Sequence, residues 1–343
     1  MKVHINRYAK VFLFTSLGVF ILWLITRNQD IDKIWDELRQ ANFFWILPAI
    51  FSGFLSHVIR AIRWNMLIRP LGKTPDTSTT FYSLMTGNLA NLAVPRLGEI
   101  TRCVTLAKYS KHPFNSIAGT VVAERIFDML SLLVLMFLTI VFQFSYLKGF
   151  LNDMIIKPMM KMIGQNSLLL FLLAIAGLGL LVFFFRYMKK TDVNKAGLGG
   201  KIKRQIMGFW KGVLTLRDME KKMVFILLTV AIWMLYFFTV YFVFFALPGT
   251  SMLGVSAGFT ILAIGTLGIV APVPGGIGAY HFIVITTMTE VLGVVSESAT
   301  SYAYIVHAAQ TFTILLLGGF SWLILSVKFK DSKTQPVANP PVL

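Results

Sequence analysis

"NLAVPRLGEITRCV", residues 91–104, interrupts a chain that is otherwise mostly apolar. It sets Pro95 and Gly98, which bend or end helices, beside Arg96, Glu99 and Arg102. In hydrocarbon a break of this kind survives only where it lines protein or water, and its charges are tolerated only when paired or facing a cavity. If the surroundings are membrane-spanning, the stretch predicts a polar cavity.

The surroundings fit. Of 343 residues, 56% are hydrophobic, and the mean hydropathy is +0.72. An ordinary soluble domain is far less apolar. Long apolar runs predict full crossings near 11–26, 43–67, 116–144, 168–185, 223–247 and 299–327. The first follows Lys2, Arg7 and Lys10 and ends in Trp23, Leu24 and Ile25, so it reads as a retained anchor, not a cleaved signal. Cys103 is the sole cysteine, which excludes an intramolecular disulfide and a multi-cysteine metal site.

The 32 Lys and Arg against 15 Asp and Glu give a net charge of +17. From Arg186 to Lys222 there are eleven Lys and Arg against Asp192, Asp218 and Glu220. The positive-inside rule makes that segment cytoplasmic and puts both termini on the same side of the cell's inner (plasma) membrane. The charge then reads as a topology signal and an attraction for anionic headgroups at the cytoplasmic leaflet, and no nucleic-acid partner is expected. Within 186–222, Ile202, Ile206, Phe209, Trp210 and Val213 recur at helical spacing among basic residues, predicting an amphipathic helix on that leaflet. Ile31, Ile34, Trp35 and Leu38 offer a weaker counterpart outside. Residues 331–343 predict a disordered tail, leaving 1–330 as one membrane domain.

Two regions remain, 79–112 and 251–298, each returning to the side it left and each broken in the middle, by "AVPRLGE" at 93–99 and "APVPGGIGAY" at 271–280. Thr79 to Val94 is short for a crossing at ~1.5 Å per residue. Both regions are expected to be re-entrant hairpins, with full crossings, up to ten spans in all, as the alternative. The fold class is thus an all-α polytopic membrane protein of six full transmembrane helices plus two re-entrant hairpins. Repeats 43–145 and 223–327 have opposite orientation, with Pro95 and Pro274 as matching breaks. Inverted repeats with paired broken helices are a transporter signature.

The charges around the first break form a constellation. Arg96, Glu99 and Arg102 follow at three-residue steps, while "AERIFDML" puts Glu124 and Asp128 on one helical face with Arg125 beside them. Two carboxylates at i, i+4 repel unless a cation sits near, so Arg96 or Arg102 is expected against Glu124 and Asp128. "HVIRAIRW", 57–64, adds Arg60, Arg63 and Trp64, whose arginines read foremost as markers of the cytoplasmic interface and secondarily as approaching the cluster. Functionally these are arginines for phosphate and carboxylates for gating; structurally they are a staple of ion pairs. At the second break His281 is the ionisable group, read as a titrating gate or a helix-capping donor. "PGGIG" reads as a tight turn, or as a phosphate cradle if its amides open a helix. His307 reads as a satisfied polar residue within a helix. No nucleophile, metal-ligand spacing or nucleotide loop appears, so no catalytic residue, metal or cofactor is assigned.

"RAIRWNML", "NLAVPRLGEITR", "VVAERIFDML" and "PVPGGIGAYHF", in this order, resemble the flippase-like transmembrane region of lysyl-phosphatidylglycerol synthases, which also occurs as a free-standing membrane protein. The resemblance implies a domain that moves lipids with modified headgroups, aminoacylated phospholipids or polyprenyl-phosphate sugar lipids among them, with a lipid-modifying enzyme as a possible partner. It implies functional positions at Arg96, Gly98, Glu99, Arg102, Glu124, Arg125, Asp128, Pro274, Gly275, Gly276 and Gly278. Many members have a glutamate where this chain has His281, and no soluble transferase domain follows, so lysyl-lipid synthesis by this chain alone is not expected. The alternatives are an intramembrane lipid-phosphate enzyme and a proton-coupled carrier of a small solute.

Overall fold

The computed structural model describes residues 29–110, 112–142, 221–271 and 273–333, with isolated positions between 16 and 27 and at 157 and 186. The apolar runs predicted at 11–26 and 168–185, the amphipathic segment within 186–222 and all of the predicted tail 331–343 except 331–333, which continue the last helix, lie essentially outside the described residues. The described residues form helices and no strands. By compactness they fall into two units, Met1–Glu124 with Met223–Leu343, and Arg125–Lys222.

In the first unit α1 (Ile31–Gln40) opens on an Asp30 N-cap, whose carboxylate accepts the Lys33 N–H at 3.2 Å. That bond, together with the Lys33 ammonium, holds this carboxyl below its usual pKa. A single turn, Phe43–Trp45, leads into α2 (Ile46–Ile68). Then come α3 (Thr77–Ala93), α4 (Leu97–Ser110) and the start of α5 (Phe114–Phe142). The unit resumes with α6 (Lys222–Phe244), α7 (Val255–Val270), the short α8 (Ala279–Thr286) and α9 (Ser296–Lys333).

Three helical stretches, Phe43–Leu71, Lys222–Phe244 and Ser296–Val327, are long and apolar enough to cross a membrane. They match the runs predicted at 43–67, 223–247 and 299–327. α5 covers most of the run predicted at 116–144 but carries Glu124, Arg125 and Asp128, so it is not uniformly apolar. The membrane character also shows in what stays exposed. Leu47 and Phe51 on α2, Leu227 and Val230 on α6, and Leu315, Leu316, Phe320 and Leu323 on α9 are all large, apolar and uncovered. A soluble surface does not carry such faces, and the chain is an α-helical membrane protein.

Both breaks are built as the Pro/Gly chemistry requires. α3 ends at Ala93, and after Pro95 the backbone of Arg96 turns left-handed at φ 64° before α4 begins. That conformation is strained for a residue with a Cβ. Asn91 closes the turn by accepting the Gly98 N–H at 2.6 Å, supplying a partner to one of α4's first amides. At the second break a turn over Pro274–Gly276 is followed by α8, with Gly275, Gly276 and Gly278 all at positive φ.

Small residues let the arms of each hairpin meet backbone to backbone. A Cβ on Gly87 would lie 2.7 Å from the Gly98 carbonyl oxygen, and one on Gly98 would strike the Gly87 carbonyl. Between α7 and α8 a Cβ on Gly268 would lie 2.7 Å from Tyr280 Cα. α9 closes on α3 in the same way, with Gly318 against Leu89 and the Met85 carbonyl. Such contacts are how membrane helices gain packing energy without a hydrophobic drive between them.

Candidate functional site

Arg60 and Arg63 are three residues apart on α2, so their side chains leave one helical face together. Both reach Glu124 of α5. Arg60 Nε lies 2.6 Å from Glu124 Oε1, and Arg63 Nη2 lies 3.8 Å from the same oxygen. Arg102 of α4 takes the other one, Nη1 to Oε2 at 2.8 Å. Three guanidiniums from two helices thus converge on one carboxylate that has no exposed surface. The interface reading of Arg60 and Arg63 is corrected here, because Arg63 is completely buried and Arg60 nearly so.

The cluster is fixed by neutral neighbours. α6 presents Phe225, Thr229 and Tyr236 along one stripe. Arg60 Nη1 donates to the Tyr236 hydroxyl at 2.9 Å, and Arg63 Nη1 donates to Thr229 Oγ1 at 3.1 Å. The Arg63 guanidinium lies 5.6 Å from the Phe225 ring, and that of Arg102 lies 4.9 Å from the Trp64 ring. Trp64 is itself fully buried and held by donating its indole N–H to Thr120 Oγ1 at 2.9 Å. Buried charges cost free energy unless they are paired and hydrogen-bonded, and all three guanidiniums lie against the Glu124 carboxylate.

The remaining candidates fall elsewhere. Arg96 sits exposed on the turn of the first break and forms no ion pair among the described residues, so it is Arg102 that meets Glu124. Asp128 belongs to the second unit, where its carboxylate lies 3.8 Å from Arg125 Nη1, one turn earlier on α5. Glu99 is half-buried in the first turn of α4, and Gly98 is the crossing point with α3. Pro274, Gly275, Gly276 and Gly278 shape the second turn, and its Gly275 carbonyl accepts from His307 Nε2 at 2.8 Å. His281 is buried beside His307, with ring centroids 4.7 Å apart. Among the described residues no group of three or more His, Cys, Asp or Glu is placed to hold a metal ion.

The sequence reading missed Tyr236 and Thr229, which serve the arginines from α6, and Thr120, which holds Trp64. A signal exists for the first pair. Thr229 and Tyr236 are seven residues apart in an apolar span, with Phe225 four before Thr229, so all three fall on one helical face.

Residues 9–318 match the family described as the lysylphosphatidylglycerol synthase TM region. A UPF0104 membrane protein of Methanothermobacter thermautotrophicus is 25% identical over 295 residues, covering 82% of this chain and 86% of that protein. One of Pyrococcus horikoshii is 21% identical over 336 residues, covering 90% of this chain and 96% of its own length. A third, of Methanocaldococcus jannaschii, is 26% identical over 182 residues, about half of each chain. The apolar helices, the two glycine-bearing breaks and the match over residues 9–318 have one meaning: the chain belongs to the lysylphosphatidylglycerol synthase TM region family.

Proposed function

We propose that this chain is a lipid translocator that passes an anionic or modified headgroup, on a phospholipid or a polyprenyl-phosphate lipid, between leaflets of the plasma membrane without covalent chemistry. The observation that carries the reading is the convergence of Arg60, Arg63 and Arg102 on Glu124. Guanidinium forks match phosphate and carboxylate oxygens alike. Glu124 is then the resident anion, and a lipid phosphate competes with it for the same three side chains. Exchange of one anion for another keeps the arginines paired throughout, so a charged headgroup crosses without leaving buried cations bare.

The topology that serves this function is six full crossings with the α3–α4 and α7–α8 pairs as re-entrant hairpins in an inverted repeat, both termini cytoplasmic. Length supports it. α3 has 17 residues, α4 14, α7 16 and α8 8, all below the ~20 that span the hydrocarbon core. The turn at Pro274–Gly276 packs on α3, and Leu92 Cδ2 lies 3.2 Å from the position a Cβ on Gly275 would take. The second break therefore lies against the α3 arm of the first hairpin, as expected of a site between two broken hairpins.

Lipid carried through purification tests the binding step. In native-lipid particles the wild type is expected to retain a phosphate-bearing anionic lipid that the double variant Arg60→Gln/Arg102→Gln loses. A wild-type titration covers the case of a misfolded variant: phosphatidylglycerol should raise Tm over phosphatidylcholine at equal amounts. Equal lipid in both proteins, with no preference in the titration, would leave the arginines as an internal staple.

A further inference from the structure

The second break holds side chains that the arginine–glutamate site does not use. His281 of α8 and His307 of α9 are 3% and 8% exposed. Tyr304 stands 4.9 Å from the His281 ring, and Tyr280 stands 5.5 Å from the His307 ring, centroid to centroid. Because a carbonyl oxygen can only accept, the His307 nitrogen bonded to Gly275 carries a proton, which fixes the tautomer of that ring. Nδ1 of His281 and the hydroxyl of Tyr280 are buried with no hydrogen-bond partner among the described residues. Two imidazoles 4.7 Å apart in apolar surroundings act as one site for one added proton, since a second would set like charges side by side with little screening.

Among the described residues, no ion pair or hydrogen bond sets a charged side chain against either imidazole. α7 contributes no ionisable side chain and meets α8 through Gly265 and Gly268. α3 contributes Tyr82 alone. The turn after α8 carries Glu290 and the start of α9 carries Glu297, and neither contacts an imidazole. Tyr302 donates its hydroxyl to the Val240 carbonyl, and Tyr109 of α4 reaches α9 at the Leu325 carbonyl. On α2, Arg60 and Arg63 are held by Glu124, and His57 lies next to Arg60 in its field. From α1 the Glu37 carboxylate accepts from the Ser298 hydroxyl, and Lys33 lies near Glu297, both at the start of α9. Asp32, Asp36 and Arg39 of α1 likewise contact neither ring. A proton added to the pair therefore creates a cation whose counter-charge must come from a ligand or from entering water.

We infer that His281 and His307 form a single-proton site at the second break, and that its proton is the ion coupled to headgroup passage. The coupling rests on the translocator reading; the proton site does not. The route for coupling is short. His307 anchors the Gly275 carbonyl to α9, and Gly275 lies against Leu92 near the end of α3. One proton enters on an unprotonated ring nitrogen and makes the break cationic, which favours an anionic headgroup against it. The same proton leaves on the opposite side, and no covalent bond other than the N–H changes.

Two measurements on the full chain test this. With 15N-labelled histidine in nanodiscs, nitrogen chemical shifts separate imidazole from imidazolium, and His281→Gln and His307→Gln assign the signals. Glutamine keeps a donor for the Gly275 carbonyl at position 307. In nanodiscs containing phosphatidylglycerol, whose phosphate can supply the counter-charge, the pair is expected to take up one proton, and no second, as the pH falls from about 8 to about 3, a range widened because apolar burial opposes the cation. In vesicles of phosphatidylcholine with a headgroup-labelled phosphatidylglycerol, an imposed pH gradient should speed wild-type lipid movement about tenfold, and His281→Gln should lose that response. Two rings neutral across the range would overturn the proton site. A titrating pair with movement indifferent to the gradient would overturn the coupling alone. A wild type that moves no lipid under any gradient would overturn the translocator reading, and the coupling with it, while the nitrogen shifts still decide the proton site.

Discussion

Glu124→Gln is expected to lower folding stability by about 3–5 kcal/mol, the cost of removing one partner from a buried ion pair. Glutamine keeps the shape and removes the charge, so Arg60, Arg63 and Arg102 lose the carboxylate on which all three converge. Its amide also turns two donors toward side chains that are themselves only donors. Two further results separate this cause from general damage. Adding Arg102→Met to the variant should recover part of the loss, because a buried charge and its partner removed together cost less than either alone. The loss should also be smaller in phosphatidylglycerol than in phosphatidylcholine, because a lipid phosphate takes the place the carboxylate left. Thermal unfolding in nanodiscs of the two compositions reads both. A variant as stable as the wild type in both lipids would mean that Glu124 does not hold the arginines.

Gly98→Ala is the second large effect, with an expected cost of about 3 kcal/mol, at the upper end for overpacking. A methyl group there meets the Gly87 carbonyl and Asn91 Cγ, the latter at 2.5 Å. A carbonyl cannot rotate aside as a side chain does, so α3 and α4 must separate, straining the bond from Gly98 N–H to Asn91. Arg102 lies one turn beyond Gly98 and packs its Cβ toward Gly87, so the separation also draws its guanidinium off Glu124. The variant should therefore lose lipid retention along with stability. Gly119→Ala is the control. It sits on α5 with open space around a new Cβ, and alanine there should be neutral or stabilising by about 0.5–1 kcal/mol. Unfolding midpoints for the three proteins check both expectations, and equal midpoints for Gly98→Ala and wild type would refute the close crossing.

What the sequence disclosed followed from local chemistry. Length and hydropathy sufficed for the apolar helices from Phe43, Lys222 and Ser296, because an apolar run of that length has few other fates. The breaks at Pro95 and Pro274 were legible because proline and glycine act on the backbone where they stand. The partners of Arg60 and Arg63 were not. Two arginines near the end of an apolar run look the same whether they mark an interface or enter a core, and what decides is Glu124, 64 positions on, and Tyr236, 176 positions on. His307 is the satisfied polar residue that its place in a helix suggests, but its partner is the carbonyl of Gly275. Only the packing of α9 brings those two together. Gly87 carried no signal of its own, since its small size matters only beside Gly98.

Transbilayer movement in vesicles reconstituted with the full chain tests the central claim most directly. A headgroup-labelled phosphatidylglycerol is quenched from outside, and the rate at which the inner pool becomes accessible is followed with and without protein. The exchange of Glu124 for a lipid phosphate predicts protein-dependent movement that falls at least tenfold in Arg60→Gln/Arg102→Gln and favours phosphatidylglycerol over phosphatidylcholine. Movement no faster than in protein-free vesicles, or equal in wild type and variant, would contradict it.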